Sequence, residues 1–188
     1  MEILTKSELR LRYDEIIKKI RAGALFIHPT DTIYGISCNA LNEDSVQKIR
    51  DLKERPDNPF SVWVPSTVWI RENCCLNKEG KKWLKELPGP FTLILKPKDK
   101  TIVAKNVAPK KSTLGVRLPD HWFTKIVEDV DVPLVTTSVN KAGKRFMTDR
   151  ENLDPEIERG VSFLIYEGEK KGRPSKVIDL VKGEVKER

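Results

Sequence analysis

Apolar residues recur at helical spacing between Ser7 and Arg21, at Leu9, Tyr13, Ile16, Ile17 and Ile20, which predicts an amphipathic helix capped by Ser7. Gly23 stops it. The run Ala24-Leu25-Phe26-Ile27 predicts a short buried strand that Pro29 ends. A second helix opens at Asn42 or Glu43 and carries Val46, Ile49 and Leu52, after which Pro56 forces Arg55 out of the helical region. Further strands are predicted at Phe60–Val64, Phe91–Leu95, Thr113–Leu118, Pro133–Thr137, Ser162–Tyr166, Val177–Leu180 and near Val185. Between them lie a polar helical stretch from Trp69 to Leu87 broken near Asn77, a helix from Asp120 to Val130, and a short one over Pro155–Arg159. The lysine-rich segment Lys96–Lys111 reads as a mobile loop.

Helices and strands alternate without a strict βαβ repeat, so the expected class is α/β, with a twisted mixed β-sheet flanked by helices. With 188 residues, no internal repeat and no dividing linker, a single domain over 1–188 is expected. The formal charge of +7 favours anionic partners such as nucleotide or RNA. Three cysteines, two of them adjacent, and two histidines make neither a disulfide framework nor a zinc set. No apolar run approaches membrane-spanning length and the N-terminus leads into a charged helix, so a cytoplasmic protein with no membrane partner is expected.

Candidate chemistry sits where predicted elements give way to turns. Lys53 and Arg55 flank Glu54 at the end of the second helix, and Ser138 and Asn140 follow the strand at 133–137. Loops beyond strand ends are where α/β proteins place their binding groups. Arginine grips a phosphate ester bidentately and lysine as a point charge. Taken singly, the first cluster is no more than a solvated helix end and the second a simple turn. A third segment, Pro29-Thr30-Asp31-Thr32-Ile33-Tyr34-Gly35, gathers two hydroxyls, a carboxylate and a phenol on one turn. The chain has no Walker loop, no dinucleotide glycine fingerprint and no nucleophile elbow.

Six stretches taken together resemble the YrdC/TsaC family, the threonylcarbamoyl-AMP synthases, over nearly the whole chain: PTDTIYGISCNAL (29–41), KERPDNPF (53–60), PGPFTLILK (88–96), TLGVRLPDH (113–121), LVTTSVNKAG (134–143) and PSKVIDL (174–180). The resemblance implies a YrdC-like fold with a positively charged central cavity. It implies a nucleotidyltransferase that makes threonylcarbamoyl-AMP and pyrophosphate from L-threonine, bicarbonate or CO2, and ATP carried with Mg2+, with no metal site of its own. A separate tRNA-modifying threonylcarbamoyl transferase complex would use the product, and a contact with tRNA or RNA is expected.

By the same resemblance Lys53 and Arg55 are catalytic and hold ATP phosphates, and Asn58, Thr113, Ser138, Asn140, Thr148 and Arg188 contact ATP. Thr32, Arg117, Ser138 and Ser175 would hold threonine, Arg117 through its carboxylate. The chain departs from many relatives in four places. Asn58 follows Arg55 by three residues, one fewer than usual, Trp63 stands where histidine is common, Ala142 where serine is, and Lys176 where threonine is. The implied form is the short, single-domain one, with Lys96–Lys111 or the C-terminal tail as its lid. The alternative is an RNA-binding module with a basic cavity and no catalysis.

Overall fold

Pairing between strands distant in sequence builds the frame of this protein. The computed structural model describes residues 1–186. In chain order its elements begin with β1 (Glu2–Leu4), α1 (Lys6–Leu11), α2 (Tyr13–Arg21), β2 (Phe26–His28), β3 (Gly35–Asn39) and α3 (Glu43–Leu52). They continue with β4 (Ser61–Trp63), α4 (Thr67–Asn73), β5 (Cys74–Cys75), α5 (Lys78–Trp83), β6 (Phe91–Pro97) and β7 (Leu114–Arg117). The last are α6 (Thr124–Val130), β8 (Leu134–Ser138), α7 (Pro155–Gly160), β9 (Phe163–Ile165), β10 (Lys176–Asp179) and β11 (Glu184–Lys186). The strands run in the order β1-β9-β2-β3-β8-β4-β7-β6-β10-β11, with β5 paired to β6. β4 lies parallel to β7 and antiparallel to β8, so the sheet is mixed as expected. Among the described residues no helix is long and apolar enough to cross a membrane.

Besides the unpredicted β1 and β5, three local outcomes differ from the sequence reading, each for a physical reason. The first predicted helix is two helices that break at Arg12, and Thr5 rather than Ser7 caps the first. Thr5 Oγ1 accepts from Glu8 N–H at 3.2 Å while the Glu8 carboxylate accepts from Thr5 N–H at 2.7 Å, a reciprocal cap that satisfies two donors. β3 gave no alternating signal because all five of its residues are buried. The segment 96–111 is anchored rather than free. Ala104 N–H donates to Ala40 O at 2.8 Å, Phe60 N–H donates to Val107 O at 2.9 Å, and Val107 is fully buried.

Register explains why a hollow exists over this sheet. Gly35 pairs with Ser138, Ser61 with both Thr136 and Gly115, and Gly115 with Ile94. Cross-strand partners share a face, as do residues two apart, so Gly35, Thr136, Ser61, Gly115 and Thr92 form one row of small side chains. A Cβ added at Gly35 would come within 2.9 Å of Thr136 Oγ1, and one at Gly115 within 3.1 Å of Ser61 Cβ. Bulk lies to one side of this trough. There Trp63, His28 and Phe123 pack together, with His28 stacked on Phe123 at 4.7 Å and Trp63 edge-on to Phe123 at 5.6 Å. His28 donates from Nδ1 to Pro29 O, which leaves Nε2 to accept from Ser37 Oγ at 2.6 Å. Burial pulls its imidazole down to about 3, so it is a neutral core residue.

Candidate active site

The trough opens into a cavity holding about 680 Å3 of space, part of it continuous with solvent. Arg55, Arg117, Thr32, Ser138 and Ser175 all line it, so five of the residues picked out in the sequence converge on one hollow. The cationic cluster after α3 and the polar cluster after β8 therefore meet, although more than eighty residues separate them.

Arg55 reaches the cavity because the chain turns sharply after α3. Lys53 caps that helix and Glu54 takes the left-handed conformation, φ 51°. The turn is templated from beneath by Arg50, a residue that sequence reasoning passed over. Its guanidinium donates to Arg55 O, Pro56 O, Asn58 O, Asn106 O and Val107 O, at 2.7–3.1 Å, and lies over the Phe60 ring at 4.4 Å. One guanidinium thus gathers carbonyls from both sides of the turn and from the loop at 106–107. An arginine inside an amphipathic helix carries no visible mark of such a task.

Lys53 does not line the cavity. Its side chain runs back through the protein, 1% exposed, and its ammonium donates to Ser138 O, to Asn140 O at 2.6 Å and to Asn140 Oδ1 at 3.3 Å. Ala142 N–H donates in turn to Lys53 O at 2.9 Å. Lys53 thus ties the end of α3 to the loop after β8. Burial, with the Arg55 charge nearby, pulls its ammonium down from 10.5 to about 7. Asn140 is likewise spent on its own loop, donating to Lys141 O and Lys144 O and accepting from Ser138 Oγ at 2.5 Å.

On the opposite wall, Thr30 Oγ1 accepts from the N–H groups of Thr32 and Ile33 and donates to Ile33 O, a side-chain turn that aims Thr32 inward. Arg117 Nη2 donates to Asp31 Oδ1 at 3.0 Å and to Thr32 Oγ1 at 3.4 Å, an ion pair whose two side chains are each more than nine-tenths buried. Ser175 Oγ lies 2.7 Å from Thr92 Oγ1 on the adjoining strand.

The remaining assignments fall elsewhere. Asn58 is exposed at the turn. Thr113 lines a separate groove with Lys100, Lys105, Lys110 and Lys111. Thr148 Oγ1 accepts from Asn152 Nδ2 at 2.7 Å, outside the cavity lining. Arg188 lies outside the described residues. Trp63, in place of the common histidine, sits in the aromatic block, and its Nε1 has no hydrogen-bond partner among the described residues. The segment 96–111 is absent from the cavity lining, so the expected lid over this site is not formed there. Ser61, Thr136, Phe146 and Pro174 also line the hollow. The first two could be found only once strand register was known.

The site is thus a hollow over the mixed sheet of an α/β protein, faced by two arginines and several hydroxyls, which offer hydrogen bonds and positive charge. A family model for the Sua5/YciO/YrdC domain, described as telomere recombination, matches residues 18–187. The chain belongs to this family. A Methanocaldococcus jannaschii relative is 37% identical over 183 residues, which is 94% of this chain and 84% of that one. Stutzerimonas stutzeri threonylcarbamoyl-AMP synthase is 27% identical, covering 93% of this chain and 95% of its own. Among solved structures, P. abyssi Sua5 complexed with L-threonine superposes with a TM-score of 0.83 at 28% identity, over 95% of this chain. This chain spans about half of that protein's length, 54%.

Proposed function

We propose that this chain is a threonylcarbamoyl-AMP synthase that joins L-threonine, bicarbonate or CO2, and ATP, releasing pyrophosphate. The observation that carries the reading is the convergence of Arg55, Arg117, Thr32, Ser138 and Ser175 on one cavity. The name borne by the Stutzerimonas stutzeri relative and the threonine bound to P. abyssi Sua5 point the same way.

In this reading threonine's free amine adds to CO2 and loses a proton, giving a carbamate. A carbamate oxygen then attacks the α-phosphorus of ATP, and the bond to the bridging oxygen breaks to release pyrophosphate. Both steps are attacks by bound substrates, so the protein contributes position and electrostatics rather than a covalent intermediate. Arg117 pairs with threonine's carboxylate beside Thr32, sharing its guanidinium with Asp31. Arg55 neutralises the charge that builds on the phosphates. Lys53 serves by holding Ser138 and Asn140 in place, a supporting task distinct from the direct phosphate contact first expected of it. Arg117 is offset by Asp31, so Arg55 would supply the positive charge that the cavity offers a phosphate. A Mg2+ ion would enter on ATP, held by phosphate oxygens and water. The product would pass to a transferase that modifies tRNA.

The deciding assay is pyrophosphate release, with radiolabelled bicarbonate incorporation measured for each amino acid in turn. Release that needs threonine and bicarbonate together is expected. Release without them, or a salt-sensitive RNA shift with no turnover, would overturn the reading and favour an RNA-binding module.

A further inference from the structure

The segment between β9 and β10 forms part of the threonine-facing wall, and a polar network outside the site described above holds it there. Gly172 lies so close to the Thr32 backbone that an added Cβ would come within 2.0 Å of Thr32 O. Two residues on, Pro174 and Ser175 enter the cavity lining. The position of this strap therefore sets the width of the hollow at Thr32.

Two charged side chains fix the strap. Glu167 accepts from His121 Nε2 at 3.1 Å, from Trp122 Nε1 at 2.6 Å and from Lys170 Nζ, so one carboxylate gathers three donors. Its N–H donates to Tyr34 Oη at 3.1 Å, and Tyr34 Oη donates to Gly168 O at 2.7 Å. Lys170 extends the network to the other side. Its ammonium donates to Thr30 O at 2.9 Å, within the turn that aims Thr32. Its backbone N–H donates to Thr148 O at 2.8 Å, in the loop that follows β8. The Lys170 side chain is 18% exposed, and hydrogen bonds from a charged group in such a setting are stronger than neutral ones. The hydrogen bonds that pull the Glu167 carboxyl below its ordinary value outweigh its burial, which acts the other way.

We propose that Lys170 and Glu167 are positioning residues for the threonine subsite, acting through the strap and the Thr30 turn rather than by touching substrate. This rests on the threonine reading above and adds its determinant outside the cavity. The ties to the Thr30 turn and to the loop after β8 depend on different atoms of Lys170. Its ammonium serves the Thr30 side, whereas its tie to Thr148 is made by the backbone N–H and survives any substitution but proline. A side-chain change should thus be felt by threonine and not by ATP.

The test compares Lys170→Met, Lys170→Arg and Glu167→Gln with the wild type, measuring KM for each substrate and hydrogen exchange at Thr32 and across 167–175. Lys170→Met is expected to raise the threonine KM roughly tenfold to a hundredfold, the scale of one charge-assisted hydrogen bond, with the ATP KM moving less than about threefold. Exchange at Thr32 and across the strap should quicken, and Lys170→Arg should recover part of both effects. An equal rise in the two KM values, or unchanged exchange, would overturn the proposal. If Lys170→Met does not fold, Glu167→Gln decides the matter by the same two readouts. If the wild type itself uses no threonine, the substrate reading fails, and the exchange rates still decide whether Lys170 holds the strap.

Discussion

Replacing Lys53 by methionine keeps the apolar stem and removes the ammonium that joins the end of α3 to the loop after β8. Two effects then oppose each other. Ser138 O and Asn140 O lose a buried donor, at about 1–3 kcal/mol for each group left unsatisfied. Against this, the folded protein no longer has to shelter a charge whose pKa burial has pulled from 10.5 to about 7. Between those two values the unfolded chain keeps a proton that the folded chain has released, so wild-type stability rises with pH through this window. Below pH 7 both states are protonated and the slope vanishes. At about 1.4 kcal/mol per pKa unit, the whole displacement corresponds to roughly 4–5 kcal/mol. The variant has nothing to titrate at this position.

Urea unfolding of both proteins at pH 6.5, 8 and 9.5 reads the difference directly. The gap between them is expected to be small at pH 6.5, where the two effects offset, and to widen by about 2–4 kcal/mol in favour of the wild type by pH 9.5. A gap independent of pH would refute the reasoning, because it would mean that the carbonyl partners fully compensate the buried charge.

Arg55→Ala should cut threonine-dependent pyrophosphate release by on the order of a hundredfold, the scale of one preorganised electrostatic contact. Near-normal turnover would remove Arg55 from the phosphate side. Arg117→Ala should raise the threonine KM more than the ATP KM and leave Asp31 as a buried, unpaired carboxylate, so melting temperature should fall as well. Gly172→Ala sets a methyl group against Thr32 O. Overpacking of this kind costs about 1–3 kcal/mol, and a threonine KM raised with ATP binding intact would show that the strap has shifted.

Much of the sheet is legible in sequence because strands such as Phe91–Pro97 and Leu134–Ser138 are runs of apolar and β-branched residues bounded by proline or turn residues. β1 and β3 are not. β1 is three residues at the edge of the sheet, and β3 is buried throughout and mixes Gly, Ser, Cys and Asn, which carry no strand preference. Arg55, Arg117, Thr32, Ser138 and Ser175 meet at one cavity because distant strands pair and bring their turns together. The task of Lys53 is not legible. Whether a cation after a helix faces a ligand or a carbonyl behind the wall depends on which loop packs against it, and Ser138 lies 85 residues away. Arg50 and Lys170 stay hidden for the same reason, because the distant partners that define their tasks are backbone oxygens, which leave no trace in residue identity.

The small residues Gly35, Thr136 and Ser61 in the lining mean that the pocket's floor is made by what the strands lack, with the turns that carry Thr32, Arg55 and Ser175 raised around it as walls. A single isoleucine or valine at Ser61 would suit a strand well and plug the hole from its floor, with the frame around it left standing. That gives cell biologists a clean blank: a protein of normal abundance and normal outward surface, silent in its chemistry, against which any role played by the rest of the molecule can be separated from catalysis.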